Sequence, residues 1–192
     1  MLLTVYVDTT MYCWRNGLAS QEPSPPGTGW LTVAVDGQCF AALNVDGSIW
    51  LDKVGAAGAQ SCGSAPTSGV WVSVHAGNFA FAALSVDGTI ACWGSGHGAA
   101  HANDCPTRSG YTAIKAADQS FCALWTDGSI ECWGAVRRIG KYPPNRPWDW
   151  THPLSNDTGY IGLYATQQAW VGVKADGTIT AWGEAQFGGA LP

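Results

Sequence analysis

Phe121-Cys-Ala-Leu-Trp-Thr-Asp-Gly-Ser-Ile-Glu-Cys-Trp-Gly134 decides the fold. Two apolar runs flank an Asp-Gly pair, a strong local signal for a β-hairpin. The pattern recurs three times: Phe40-Ala-Ala-Leu-Asn-Val-Asp-Gly-Ser-Ile-Trp50, Phe81-Ala-Ala-Leu-Ser-Val-Asp-Gly-Thr-Ile-Ala-Cys-Trp-Gly94 and Trp170-Val-Gly-Val-Lys-Ala-Asp-Gly-Thr-Ile-Thr-Ala-Trp-Gly183. A looser copy opens the chain, Leu3-Thr-Val-Tyr-Val-Asp-Thr-Thr-Met-Tyr-Cys-Trp14. The turn aspartates Asp8, Asp46, Asp87, Asp127 and Asp176 lie 38, 41, 40 and 49 residues apart. A period in this range marks an array of one supersecondary unit.

The Phe121–Gly134 stretch also predicts the pairing register. A two-residue Asp127-Gly128 loop would set Cys122 opposite Trp133. A three-residue loop Thr126-Asp127-Gly128, with Gly128 left-handed, sets Cys122 opposite Cys132. In that register one face carries Cys122, Leu124, Ile130 and Cys132. The matching sets are Ala82, Leu84, Ile90, Cys92; Ala41, Leu43, Ile49, Leu51; Val171, Val173, Ile179, Ala181; and Leu3, Val5, Met11, Cys13. All are apolar, as one buried face requires. The opposite face pairs Phe81 with Trp93, Phe121 with Trp133 and Trp170 with Trp182. An aromatic-led strand precedes each full hairpin: Trp30-Leu-Thr-Val33, Trp71-Val-Ser-Val74, Tyr111-Thr-Ala-Ile114 and Tyr160-Ile-Gly-Leu163. Small sheets with two apolar faces bury both by stacking around an axis, as blades of a β-propeller or of an arc of one.

The chain resembles the RCC1-like repeat family, whose pattern reads Ala-Gly-x-x-His-Thr-x-Ala-Leu-x-x-Asp-Gly-x-Val-x-x-Trp-Gly. Ala76-Gly77, Ala83-Leu84, Asp87-Gly88 and Trp93-Gly94 fall on it in register, as do Ala123-Leu124, Asp127-Gly128 and Trp133-Gly134. The family histidine is replaced by Cys39, Ala80, Ser120 and Ala169, and Asp8 is followed by Thr9. The expected architecture is all-β: a propeller or partial propeller of about five short blades, each a three- to four-stranded antiparallel sheet. The first blade is expected to lack its opening strand. Residues 1–192 read as a single RCC1-like repeat domain. The family includes exchange factors, enzyme inhibitors and scaffolds, so the resemblance does not select among those roles.

Composition narrows the function classes. The 192 residues include 11 Trp and 25 Gly, with 46% hydrophobic and 12% charged residues, which describes a packed, turn-rich β protein. The net charge of −5 argues against nucleic acid as a partner. No apolar run reaches the length of a membrane span, and the first ten residues already belong to the repeat, so no leader is expected. No cofactor motif and no catalytic constellation is recognisable, and the chain reads as non-enzymatic.

Seven cysteines, Cys13, Cys39, Cys62, Cys92, Cys105, Cys122 and Cys132, leave one over after any internal pairing. Cys122 and Cys132 are expected to bridge the hairpin. Cys62 and Cys105 lie in matching loops of successive units and are the second candidate pair. Cys92 and Cys13 read as plain small hydrophobes. Disulfides would imply an oxidising compartment, such as an organelle lumen or the outside of the cell.

Two loops carry binding-type side chains. Arg137, Arg138, Lys141 and Arg146 lie in one segment with Trp148 and Trp150, residue types favoured at interface hot spots. His97, His101, Asp104 and Cys105 have spacing that could ligate zinc, though a solvated Gly-rich loop is the simpler reading and no metal is assigned. Asn156-Asp157-Thr158 is a glycosylation sequon. The functional expectation is a module that docks onto a protein partner within a larger assembly. The alternative is a lectin-like propeller whose Trp148 and Trp150 stack on a glycan.

Overall fold

The structure, a computed structural model, describes residues 2–5, 10–14, 21–22, 24–36, 38–53, 62–78, 80–94, 105–134 and 157–189. Five three-stranded antiparallel sheets make up these residues. The first contains β1 (Leu2–Val5), β2 (Met11–Trp14) and β3 (Gln21–Glu22). The second contains β4 (Trp30–Val35), β5 (Cys39–Asn44) and β6 (Ile49–Lys53), and the third β7 (Trp71–Ala76), β8 (Ala80–Ser85) and β9 (Ile90–Gly94). The fourth contains β10 (Tyr111–Ala116), β11 (Ser120–Trp125) and β12 (Ile130–Gly134). The fifth contains β13 (Tyr160–Ala165), β14 (Ala169–Lys174) and β15 (Ile179–Gly183), after which Ala185–Phe187 form one 3-10 turn.

The hairpin register is the one the turn chemistry predicts. Cys122 pairs with Cys132, Leu124 with Ile130 and Phe121 with Trp133. Leu43 with Ile49, Leu84 with Ile90, Val173 with Ile179 and Val5 with Met11 repeat it. The Trp125 N–H donates to Ser129 O at 2.9 Å and the Gly128 N–H to Trp125 O at 2.9 Å, so Thr126, Asp127 and Gly128 form the loop. Gly128 has φ 78°, the left-handed conformation that glycine adopts without strain. Asp127 accepts the Ser129 N–H at 2.7 Å, which fixes the turn from inside. Asp46 and Asp176 do the same for Ser48 and Thr178, both at 2.8 Å.

Among the described residues no strand pairs with the outer edge of β1. The first sheet reaches three strands by a different route, because the two-residue β3 adds to the far side of β2, pairing Glu22 with Cys13 and Gln21 with Trp14.

Sheets stack with unlike faces together. Cys122, Leu124, Ile130 and Cys132 of the fourth sheet meet Tyr160, Leu163, Trp170 and Trp182 of the fifth. Ala82, Leu84, Ile90 and Cys92 of the third meet Tyr111, Ile114, Phe121 and Trp133 of the fourth. Ala41, Leu43, Ile49 and Leu51 of the second meet Trp71, Val74, Phe81 and Trp93 of the third. Met11 of the first sheet packs with Trp30, Val33, Ala42 and Trp50 of the second. Each large apolar side chain so enclosed contributes about 1.5–3 kcal/mol. Backbone hydrogen bonds stitch the stack at both ends. The Trp71, Tyr111 and Tyr160 N–H groups donate to Gly47 O, Gly88 O and Gly128 O of the preceding turns, each at 3.0 Å. At the other end the Asn78 N–H donates to Asp118 O at 2.5 Å and the Asp118 N–H to Gln167 O at 3.0 Å.

Three disulfides are present, and their partners correct part of the sequence reading. Cys122 joins Cys132 across the hairpin, with Cα atoms 4.0 Å apart. Cys62 and Cys105 do not join each other. Cys62 bonds Cys39, with a Cα separation of 5.9 Å, and Cys105 bonds Cys92, at 5.8 Å. Each loop returns to the sheet it has just left, so its nearest thiol lies 23 or 13 residues back rather than in the neighbouring loop. Cys92 is therefore a bonded half-cystine and not a plain hydrophobe. Of Cys13 the structure describes the backbone alone.

Candidate interaction surface

All four opening strands carry a β-bulge at their second residue. The register shifts between Trp30 and Thr32, Trp71 and Ser73, Tyr111 and Ala113, and Tyr160 and Gly162. A bulge leaves one residue unpaired and re-aims its side chain. Here the unpaired residues are Leu31, Val72, Thr112 and Ile161, all exposed. The three apolar ones are open to solvent by 58%, 51% and 67%.

A second row of exposed apolar residues runs along the turn end of the second and third sheets. It consists of Val45, Val70 and Val86, exposed by 63%, 53% and 71%. Val70 abuts the Asp46-Gly47 turn of the preceding sheet. The Val86 N–H donates to Val70 O at 3.0 Å, which fixes the spacing of those two side chains. Single exposed valines are ordinary, but a succession of them beside Leu31 and Val72 is the type of patch that marks an interface.

The fourth and fifth sheets are polar at the corresponding edge. Arg108 donates to Glu131 Oε2 at 2.6 Å, and the Tyr111 hydroxyl donates to the same oxygen. The Arg108 guanidinium lies 4.8 Å from the Trp125 ring centroid, and Trp125 Nε1 donates to Ser109 O at 2.6 Å. Burial, then the hydrogen bond to Glu131, pushes the Tyr111 hydroxyl pKa up. In the fifth sheet Lys174 pairs with Asp157, the Tyr160 hydroxyl donates to Asp157 Oδ2 at 2.7 Å, and Lys174 Nζ sits 4.9 Å from the Tyr160 ring centroid. Both clusters anchor the aromatic that opens a strand. Ion pairs this near to solvent add little to stability, so their role is positional. His75 is the one imidazole in the described sheets. Burial, then the nearby Lys115 charge, lowers its pKa to about 4, so it is neutral at physiological pH.

The side chains singled out from sequence are distributed unevenly. Cys62, Cys105, Cys122 and Cys132 all lie in disulfides. Arg137, Arg138, Lys141, Arg146, Trp148 and Trp150 lie outside the described residues, as do His97, His101, Asp104 and Asn156. Cys105, from the candidate zinc cluster, is spent on Cys92. Among the described residues no three His, Cys, Asp or Glu side chains gather to hold a metal, and no helix is long and apolar enough to cross a membrane. Sequence reasoning passed over Leu31, Val72 and Ile161. Their signal was parity: each is apolar one residue after an inward aromatic, where strict alternation calls for a polar side chain.

The sequence matches no family model and no curated protein. Solved structures match in shape. Prp20p of Saccharomyces cerevisiae superposes with a TM-score of 0.65 at 14% identity, covering 96% of this chain and 56% of Prp20p. The CRINKLY WD40 ectodomain of the Arabidopsis thaliana receptor kinase ACR4 gives 0.63 at 17% identity, covering 96% of this chain and 60% of that one. The ectodomain of the Physcomitrella patens receptor kinase CR4 gives 0.62 at 19%, covering 96% and 50%. The fold is a β-propeller repeat fold. At these identities the likeness concerns the fold alone, so the RCC1-like resemblance holds for the propeller repeat and not for membership of that family. The chain spans 50–60% of the length of these three propeller structures.

Proposed function

We propose that this chain is a non-enzymatic propeller module that binds a protein partner, as an accessory subunit of a larger assembly. The observation that carries the reading is the exposed apolar row Val45, Val70 and Val86, continued by the bulged Leu31 and Val72. The row sits on a frame held by stacked sheets and three disulfides, which keeps it preorganised. A structurally similar protein, yeast RCC1 (Prp20), has been crystallised bound to Kap60, which supports the view that this fold presents protein-binding surfaces. Residues 1–192 act as a single domain in this reading. Arg137, Arg138, Lys141, Arg146, Trp148 and Trp150 extend the contact. Three disulfides support an oxidising compartment as the working environment in this reading.

The test is purification of the chain under non-reducing conditions from the cell that makes it. A protein partner is expected to co-purify in fixed ratio with the wild type. It is expected to be lost from a Val70→Asp/Val86→Asp variant that keeps its circular dichroism and thermal midpoint. A wild-type chain that purifies alone, or a double variant that keeps its partner, sinks the reading.

A further inference from the structure

Every valine of the exposed row stands beside a turn carboxylate. Val45 precedes Asp46, Val86 precedes Asp87, and Val70 lies against the Asp46-Gly47 turn. Both aspartates are exposed. Their Oδ1 atoms accept N–H groups of the turn, from Ser48 at 2.8 Å and from Thr89 at 3.1 Å. Hydrogen bonds from Ser48 to Asp46, and from Ser85 and Thr89 to Asp87, hold both carboxyls below the ordinary carboxylate range, so both are charged at physiological pH. Among the described residues the second and third sheets carry one basic side chain, Lys53, which pairs with Cys39 at the opposite end of its sheet. The fourth and fifth sheets differ on both counts. Their turn aspartates Asp127 and Asp176 feel the charges of Arg108 and Lys174. In place of Val45 and Val86 they carry Thr126 and Ala175, and in place of Val70 they carry Gly110 and Gly159. Aliphatic bulk and unneutralised negative charge therefore coincide on the same two sheets. Both are interior sheets, the second packed between the first and third and the third between the second and fourth.

Resting on the protein-binding reading above, we propose that the occupant of this row is a basic amphipathic helix of the partner. It places Lys or Arg over Asp46 and Asp87, with an aliphatic residue between them on Val70. Charge selects the basic residues, and the same carboxylates repel nucleic acid and anionic lipid. Spacing selects the helix. Stacked sheets lie about 10 Å apart, so successive turn carboxylates repeat at roughly that interval. A helix advances about 10.5 Å in seven residues and returns to the same face, so positions i and i+7 reach both carboxylates. Positions i+3 and i+4 fall midway on that face, above Val70. A strand sets same-face residues about 6.7 Å or 13 Å apart and misses the interval on either side. The charge pairs fix the register of the helix, and the valines supply the apolar area.

The experiment places a photo-crosslinking amino acid at Val70 of the full chain, in the cell that makes it, and maps the adduct by mass spectrometry. The expected adduct lies on another protein, at an aliphatic residue with Lys or Arg three or four positions away on both sides. Asp46→Asn/Asp87→Asn keeps the Oδ1 acceptor of each turn and removes its charge. It is expected to cut the adduct yield by on the order of ten-fold with an unchanged melting curve. Asp127→Asn/Asp176→Asn, on the sheets that hold Arg108 and Lys174, is expected to leave the yield within about two-fold. A second measure needs no variant. Raising salt from about 0.1 M to 1 M during co-purification should weaken the wild-type complex, because the Debye length falls from about 10 Å to 3 Å. A salt-indifferent complex, full yield from Asp46→Asn/Asp87→Asn, or equal losses from the two Asn pairs overturns the proposal. So does the lack of an adduct, or an adduct without that pattern, whether on a second copy, on this chain's own residues 137–150, on lipid or on nucleic acid. A partner lost from Val70→Asp/Val86→Asp but kept in full by Asp46→Asn/Asp87→Asn removes the basic helix and leaves the scaffold reading standing. A wild-type chain that purifies alone removes both.

Discussion

Gly128→Ala and Gly177→Ala form a controlled pair that isolates the contribution of sheet stacking. Both glycines follow the turn aspartate, at φ +78° and +86°. An alanine forced left-handed costs about 1–2 kcal/mol at either position. Among the described residues only Gly128 has a neighbour. A methyl there would sit 2.5 Å from the Gly159 nitrogen and 2.6 Å from both the Gly159 Cα and the Tyr160 nitrogen. These are backbone atoms with no rotamer to change, so the entering strand must retreat. Overpacking of this type costs about 1–3 kcal/mol. The retreat also strains the Tyr160 N–H to Gly128 O bond at 3.0 Å and the Gly159 N–H to Asp127 O bond at 3.1 Å. Each of those contributes about 0.5–1.5 kcal/mol. Gly128→Ala should therefore exceed Gly177→Ala by roughly 2–4 kcal/mol. In urea at a slope of about 2 kcal/mol per molar, the gap between the two midpoints is about 1–2 M. The measurement is fluorescence-detected unfolding with disulfides intact and slopes compared. Equal midpoints, or a greater loss at Gly177, would refute the claim that the turn glycine serves the next sheet as well as its own hairpin.

Paired removal of Cys39 and Cys62 to serine should cost about 3 kcal/mol for a loop of this length, read as a lowered urea midpoint. Intact mass before and after reduction should differ by the six hydrogens of three disulfides; a smaller difference would contradict the pairing. His75 should make stability depend on pH. Folded His75 takes up a proton only near pH 4, against an ordinary value of 6.5. Its contribution is therefore complete above pH 6.5 and declines as pH falls from 6.5 towards 4, by at most about 3 kcal/mol. Thermal midpoints across that window should fall more steeply for the wild type than for His75→Gln, and parallel curves would exclude the histidine as the cause. Ile130→Asp should destabilise the chain far more than Ile179→Asp, by about 3 kcal/mol or more, because only the former buries a charge between sheets.

Much of the fold was legible because the repeat cross-checks itself. Cys122 and Cys132 singled out one loop length, and that register then made all five faces apolar at once. The stacking of sheets followed, since Phe121 and Trp133 on one side and Leu124 and Ile130 on the other both needed cover, whereas which face meets which came from the structure. The disulfide partners of Cys62 and Cys105 were not legible. They depend on which way two loops turn back, and spacing along the chain does not encode that path. The bulged residues Leu31, Val72 and Ile161 were missed for a related reason: a bulge changes parity by one residue, so hydrophobicity alone assigns them to the wrong side. The first sheet shows the same limit, because the two-residue β3 has too little sequence to carry a periodic signal.

The fifth sheet is also a weak mechanical link. No cysteine follows Cys132, so no disulfide reaches it, and among the described residues it shares a stacking interface only with the fourth sheet. In a linear stack each unit is stabilised by its neighbours, so opening begins at an end where one neighbour is missing. Amide exchange should therefore run faster at Ile179–Gly183 than in the disulfide-held third and fourth sheets. A ligand that covers Val171, Val173, Ile179 and Ala181 would flatten that gradient without touching any other contact in the molecule.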